Sequence, residues 1–200
     1  MKNSKVLFDT PYIKVKEAPN DKYFYSERKG IDSVAFILKD SKKGLYGLIS
    51  ERKPPLDERV VERAIRKTVD FDLETKKAFL VTAFGGSNDK IDIETYKNMG
   101  DVERITTFMN TVVDEVREEA GFKIKPSRVS FCGKVFVSTQ QNQFCYLYVV
   151  DVTDIKQGKP EYENAVEAES EVVWKTRDEI IYDVEDWKAK TILFQTKDKF

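Results

Sequence analysis

The sequence predicts an α/β fold, a mixed sheet held between helices, and three observations carry that prediction. Apolar residues come in short alternating or clustered runs bounded by turn residues, the pattern of strands. One long charged segment, roughly Val102 to Ala120, carries its apolar residues at helical spacing instead. The elements follow the order strands, helix, strands, helix, which suits a mixed sheet better than a doubly wound parallel one. A hydrophobic content of 40% over 200 residues supplies enough apolar surface for one sizeable core.

Taken in order, residues 1–30 read as a β appendage. Its short strands are Lys5 to Phe8, Tyr12 to Glu17 and Tyr23 to Glu27, separated by Thr10-Pro11 and Pro19-Asn20-Asp21. The main domain spans 31–200. It opens with a hairpin, Asp32 to Lys39 and Tyr46 to Arg52, joined by the polar turn Asp40 to Gly44. Pro54-Pro55 ends the hairpin, and Val60, Val61, Ala64 and Ile65 then mark a helix from Leu56 to Thr68, a helical insertion at about 56–70. Lys77 to Phe84 reads as one strand running into Gly85-Gly86, and Ser87 to Asp101 as a long polar loop. After the charged helix, Gly121 is its stop. Strands follow at Val129 to Ser138 and Phe144 to Val152, with the wholly polar connection Ser138 to Gln143 expected to hang over one end of the sheet. An acidic loop from Lys156 to Glu169, a strand from Glu171 to Lys175 and a helix from Trp187 to Thr196 complete the chain.

Composition removes several chemistries. There is no histidine, which excludes Ser-His and Cys-His nucleophilic triads and any zinc site that needs imidazole, leaving acid-base work to Glu, Asp, Lys, Tyr or Cys. A net charge of −1, from 34 basic and 35 acidic residues, provides no field to draw in nucleic acid or an anionic membrane. Cys132 and Cys145 sit in strand-like runs without C-x-x-C spacing and read as small buried residues in a reducing compartment. No apolar run suits a signal peptide or approaches the ~18 residues of a membrane span, so the chain is expected to be cytoplasmic.

The chemistry concentrates at Val112 to Phe122. At about 100° per residue, Glu115, Glu118 and Glu119 fall within an arc of about 100° on one helical face, beside an apolar stripe of Ile105, Phe108, Met109, Val112, Val116 and Ala120. The glutamates therefore border the buried face. With 34% charged residues in the chain, such a cluster is most simply a solvated surface. Alternatively it holds Mg²⁺ or Mn²⁺, whose hard charge prefers carboxylate oxygens.

A strand ending in Gly-Gly, a polar loop, and a helix ending E-x-x-E-E-x-G-hydrophobic together resemble the Nudix hydrolases, whose signature is G-x5-E-x7-R-E-U-x-E-E-x-G-U. Glu115, Val116, Glu118, Glu119, Gly121 and Phe122 fill its second half. The first half departs from it: Asp114 stands in the place of Arg, and family spacing puts Thr106 and Gly100 where the first Glu and leading Gly belong. The context favours Gly86 as the leading glycine, with an insertion before the helix. The early strands, the strand ending S-E-R-K-P-P, and the segment E-A-E-S-E-V-V-W before the last helix look like the ADP-ribose and sugar-nucleotide pyrophosphatase branch. One departure there is Thr82, at a position where many relatives carry Glu.

The resemblance implies a Nudix-like α/β/α sandwich that hydrolyses the pyrophosphate of a nucleoside diphosphate linked to another group. It implies that Glu115, Glu118 and Glu119 hold Mg²⁺ or Mn²⁺ with the Gly86 backbone, that Glu167 or Glu169 is the general base, and that the N-terminal strands form a homodimer. Arg28, Arg52, Phe84, Gly85, Gly86 and the run Ser138 to Gln143 are the implied surroundings of the substrate, with Tyr23 and Tyr25 as further stacking candidates. Two other readings stand beside it: a nucleotide sensor that has lost catalysis, suggested by Asp114, and an interaction protein that docks through the helix from Leu56 to Thr68.

Overall fold

The structure, a computed structural model, describes residues 5–9, 13–18, 23–28, 32–53, 69–72, 77–87, 91–138, 141–162 and 167–196. Strand alternation fixes its centre. In β4 (Ser33–Asp40), Val34, Phe36 and Leu38 face one side and Ala35 and Ile37 the other, and all five are buried. The neighbouring β10 (Gln141–Asp151), parallel to β4, splits Tyr146, Tyr148 and Val150 from Cys145, Leu147 and Val149 in the same way. Both strands are therefore covered on both faces.

Two helices follow one another on the first side, α1 (Ile93–Asn98) and the long α2 (Asp101–Ala120), whose Phe108, Val112, Val116 and Ala120 pack on the even-numbered residues of β4. On the other side lie α3 (Arg177–Asp183) and α4 (Trp187–Gln195), which bury Ile180, Ala189, Ile192 and Leu193. The remaining strands are β1 (Lys5–Asp9), β2 (Ile13–Glu17), β3 (Phe24–Arg28), β5 (Leu45–Lys53), β6 (Val69–Asp72), β7 (Lys77–Thr82), β8 (Phe84–Ser87), β9 (Val129–Ser138) and β11 (Glu171–Lys175). Among the described residues they form one sheet, in the order β1-β2-β3-β10-β4-β5-β7-β6, with β8 on β4, β9 on β10 and β11 on β5. The result is the α/β/α sandwich with a mixed sheet that the sequence predicts. The segments around Val34, Leu48, Leu80, Val135 and Tyr148 all lie in that sheet.

Helix α2 stops where its sequence says. Gly121 has φ 72°, a left-handed conformation that glycine adopts without strain, and its N–H and that of Phe122 return to the carbonyls of Arg117 and Val116. Both cysteines are buried, and neither forms a disulfide.

Three expectations about the elements need correction. The strand expected over Lys77 to Phe84 is two strands: Ala83 donates its N–H to Asp186 Oδ2 at 2.7 Å, and the chain changes partner from β5 to β4 across that residue. The loop from Ser87 to Asp101 contains α1, whose first turn is capped by Asp92 Oδ1 accepting from Glu94 and Thr95. Of the polar run Ser138 to Gln143, the described residues lie in strands, because Gln141 pairs with both Ser138 and Ser26 and so takes its place in the sheet; Gln143 is buried. Strand β6, at Val69–Asp72, and helix α3 were not expected. The predicted helix from Leu56 to Thr68 lies outside the described residues.

Candidate active site

The partner change at Ala83 builds the floor of the site. It places Gly85 and Gly86 opposite Ala35 and Val34 on β4, beneath the last turns of α2. A Cβ at Gly86 would collide with the Glu115 carboxylate, whose Cδ would lie 2.6 Å away. Glycine is required there so that a helix carboxylate can lie against strand backbone.

One turn further along the same face is Glu119. Its Oε2 is buried with no hydrogen-bond partner. Burial first, then the charges of Glu115, Glu51, Glu167 and Glu118, push its carboxyl up from an ordinary 4.5 to about 9. Carboxylates from three separate elements thus converge: α2, the far end of β5, and the 3₁₀ turn Glu167–Glu169 that leads into β11. Pairing explains the meeting, since β5 aligns Ser50 with Glu171 of β11 on one side and Glu51 with Leu80 of β7 on the other.

Glu118 faces a different environment. Its Oε1 accepts a hydrogen bond from Arg117 Nη2 at 2.7 Å, and the same guanidinium reaches Glu161 at 3.5 Å and Asp114 at 4.0 Å. Hydrogen bonding to Glu118 is the largest influence raising the Arg117 pKa. The segment that carries Glu161 also closes the end of α2. Glu161 N–H donates to the carbonyl of Glu118 at 2.9 Å, Gly158 N–H to that of Gly121 at 2.8 Å, and Gln157 Nε2 to that of Ala120 at 3.0 Å. These bonds satisfy carbonyls that a helix end leaves open. They also tether the acidic segment that continues towards Glu167.

The other expected site residues divide. Gly85 is exposed beside Gly86. Phe84 is corrected: it is fully buried and stacks on Phe36 with centroids 5.0 Å apart and an 8° angle, so it serves the core rather than a substrate. Glu167 is half-buried and its charge is among those that raise Glu119, whereas Glu169 is exposed. Arg28 and Arg52 take their backbone places in β3 and β5, opposite Ile13 and Phe79, and their side chains lie outside what is described. Tyr25 is half-buried in β3 and Tyr23 exposed just before it. Glu51 is the residue that sequence reasoning missed; only the long-range pairing of β5 reveals it.

The donor set is entirely carboxylate and backbone oxygen, the chemistry of a hard divalent cation. A buried carboxylate oxygen without a donor, held among four other carboxylates, fits such a cation. Among the described residues, however, no three candidate ligands are gathered at metal-binding distance.

Fold and site together define an α/β/α sandwich with a carboxylate cluster at the end of its long helix. No protein-family model matches the chain, and no curated protein matches its sequence. A solved structure described as an ADP compounds hydrolase superposes with a TM-score of 0.57 at 12% identity, over 99% of this chain and 91% of that one. At that identity the likeness establishes the shared fold. No helix of the described residues is long and apolar enough to cross a membrane.

Proposed function

We propose that this chain hydrolyses the pyrophosphate bond of a nucleoside diphosphate linked to another group, ADP-ribose or a sugar nucleotide, with Mg²⁺ or Mn²⁺. The observation that carries the reading is Glu119: a carboxylate oxygen buried without a hydrogen-bond partner, pressed by the charges of Glu115, Glu51, Glu167 and Glu118. A fold retains such a concentration of like charge where a cation and a polyanion arrive together. The fold shared with an ADP compounds hydrolase supports the same substrate class.

Glu115, Glu118 and Glu119 would hold the metal with the Gly86 backbone. When bound, the ion would neutralise phosphate charge and lower the pKa of a coordinated water. Glu115 is kept in place by the glycine floor. Arg117 orients Glu118 through its 2.7 Å hydrogen bond. Glu167 is the better candidate for general base than Glu169, because it is half-buried and its charge bears on Glu119, whereas Glu169 is exposed. Arg28, Arg52 and Gly85 are proposed to meet the substrate. The N-terminal strands are proposed to join two copies into a homodimer, since β1 exposes Val6, Leu7 and Phe8 at a sheet edge.

A second reading, a nucleotide sensor, is favoured by one observation: Arg117 already supplies a positive charge to Glu118. Turnover of ADP-ribose, sugar nucleotides, dinucleoside polyphosphates, NAD(H) and nucleoside triphosphates with each metal decides between them. The enzyme reading expects hydrolysis that disappears when Glu115, Glu118 and Glu119 are all changed to Gln. Binding of a nucleotide without hydrolysis of any of them establishes the sensor.

A further inference from the structure

We infer that Asp186, at the head of α4, is a positioning residue for this site: it holds the strand break at Ala83, and through it the glycine floor beneath Glu115. The inference rests on the hydrolase reading and deepens it. Its first support is the backbone. Thr82 pairs with Ile49 of β5 and Phe84 with Phe36 of β4, so Ala83, between them, belongs to neither ladder. Ala83 is buried, and a buried amide outside a ladder needs an acceptor. Asp186 Oδ2 accepts from it at 2.7 Å, from the face of the sheet opposite α2.

The second support is the anchoring of Asp186 itself. Its Oδ1 accepts from the Lys188 amide at 3.1 Å and its Oδ2 from the Ala189 amide at 3.4 Å, which caps α4. Helix α4 is fixed in turn by Ala189, Ile192 and Leu193, all fully buried in the cluster that contains Ala83. A helix cap alone needs one oxygen, which Ser or Asn also offers. A carboxylate presents two, enough for the α4 amides and Ala83 together, and its charge strengthens each bond. The third support lies three residues past the break. Gly86 sits opposite Val34, so close to Glu115 that a Cβ there would lie 2.6 Å from its Cδ. With no slack above the strand, a shift of β8 passes directly to the Glu115 carboxylate.

Asp186→Ser keeps a capping oxygen but is too short to reach Ala83 as well. In that variant kcat for metal-dependent hydrolysis of ADP-ribose or a sugar nucleotide is expected to fall about tenfold to a hundredfold, since a misplacement of about 1 Å costs on the order of a hundredfold. In the metal-free chain, the β8 amides bonded to β4 are expected to exchange with solvent faster than in the wild type. Asp186→Asn, with one oxygen for both tasks, is expected to lose less by both measures, and it carries the test if the Ser variant does not fold. Thr176→Ala removes the capping box of α3 on the same face without touching Ala83, so it should lower the melting temperature and leave kcat unchanged. Unchanged kcat or unchanged β8 exchange in the folded Asp186 variant, or an equal fall of kcat in Thr176→Ala, overturns the inference and leaves the hydrolase reading intact. No turnover by the wild type overturns both.

Discussion

Glu119 is the side chain on which the electrostatics of the site converge, and its titration has a measurable sign. With its carboxyl pushed up to about 9, the folded metal-free chain keeps a proton that the unfolded chain releases near 4.5. Stability contributed by that proton is full below the lower value and is lost as pH rises towards the upper one. Glu119→Gln removes this dependence. Urea midpoints of the metal-free protein should fall between pH 5 and 9 in the wild type and fall less in the variant; an identical fall in both would refute the assignment. The same substitution should reduce metal-dependent hydrolysis by on the order of a hundredfold, as loss of a principal electrostatic group does. Gly86→Ala tests the floor. The displaced atom is the mobile end of Glu115, so folding stability should change by no more than about 1 kcal/mol. Hydrolysis should nonetheless fall by on the order of tenfold, about 1.4 kcal/mol of transition-state stabilisation. Equal activity in Gly86→Ala would show that Glu115 has no need of its present position. The three helix glutamates were legible in the sequence because helical periodicity places them without any tertiary information. Glu51 was not legible, since S-E-R-K reads as an ordinary strand end until β7 and β11 are laid beside it.

At the scale of elements, the end of α2 is the joint that relates helix, sheet and acidic segment. Gly121 meets Gly158 there so closely that a Cβ at Gly121 would lie 2.5 Å from the Gly158 carbonyl oxygen, at a φ that already disfavours any side chain. Gly121→Ala should therefore destabilise the protein by about 1–3 kcal/mol, a loss visible as a lower urea midpoint. A midpoint unchanged by the substitution would mean that the segment from Gln157 to Glu161 does not pack on the helix end as described. Long elements were readable, and α2, β4, β9 and α4 fall within a residue or two of expectation. Short ones were not. Helix α3 had a signal in Thr176-Arg177-Asp178-Glu179, a capping box in which Thr176 and Glu179 exchange hydrogen bonds, but seven residues carry little periodicity. The break between β7 and β8 had none, because Asp186, which takes the Ala83 amide, is about a hundred residues away and contact at that separation leaves no local trace.

For the whole molecule, the sandwich supplies rigidity and the N-terminal strands supply exposed apolar surface. Val6, Leu7 and Phe8 on β1 and Phe24 on β3 are each about half exposed, and consecutive exposure in β1 means that both faces of this edge strand are open. Natural sheets seldom leave such an edge uncovered. Light scattering should therefore find a dimer at micromolar concentration, and Phe8→Glu should shift it to monomer with a change in intrinsic fold stability within about 0.5 kcal/mol. A wild-type monomer would contradict the proposed assembly while leaving the site untouched. The fold class was legible from element order, and the helical half of the site from its glutamates. The Gly85-Gly86 floor was legible too, from its glycines; what stayed hidden was Glu51, which only strand pairing brings to the site. The most direct test of the central claim is the rate of ADP-ribose and sugar-nucleotide hydrolysis by the purified chain as Mg²⁺ or Mn²⁺ is titrated in, measured beside the variant with Glu115, Glu118 and Glu119 all changed to Gln. The account predicts nucleoside monophosphate release that requires the metal and vanishes in the variant. Release that persists in the triple variant, or none from the wild type with either metal, would contradict it.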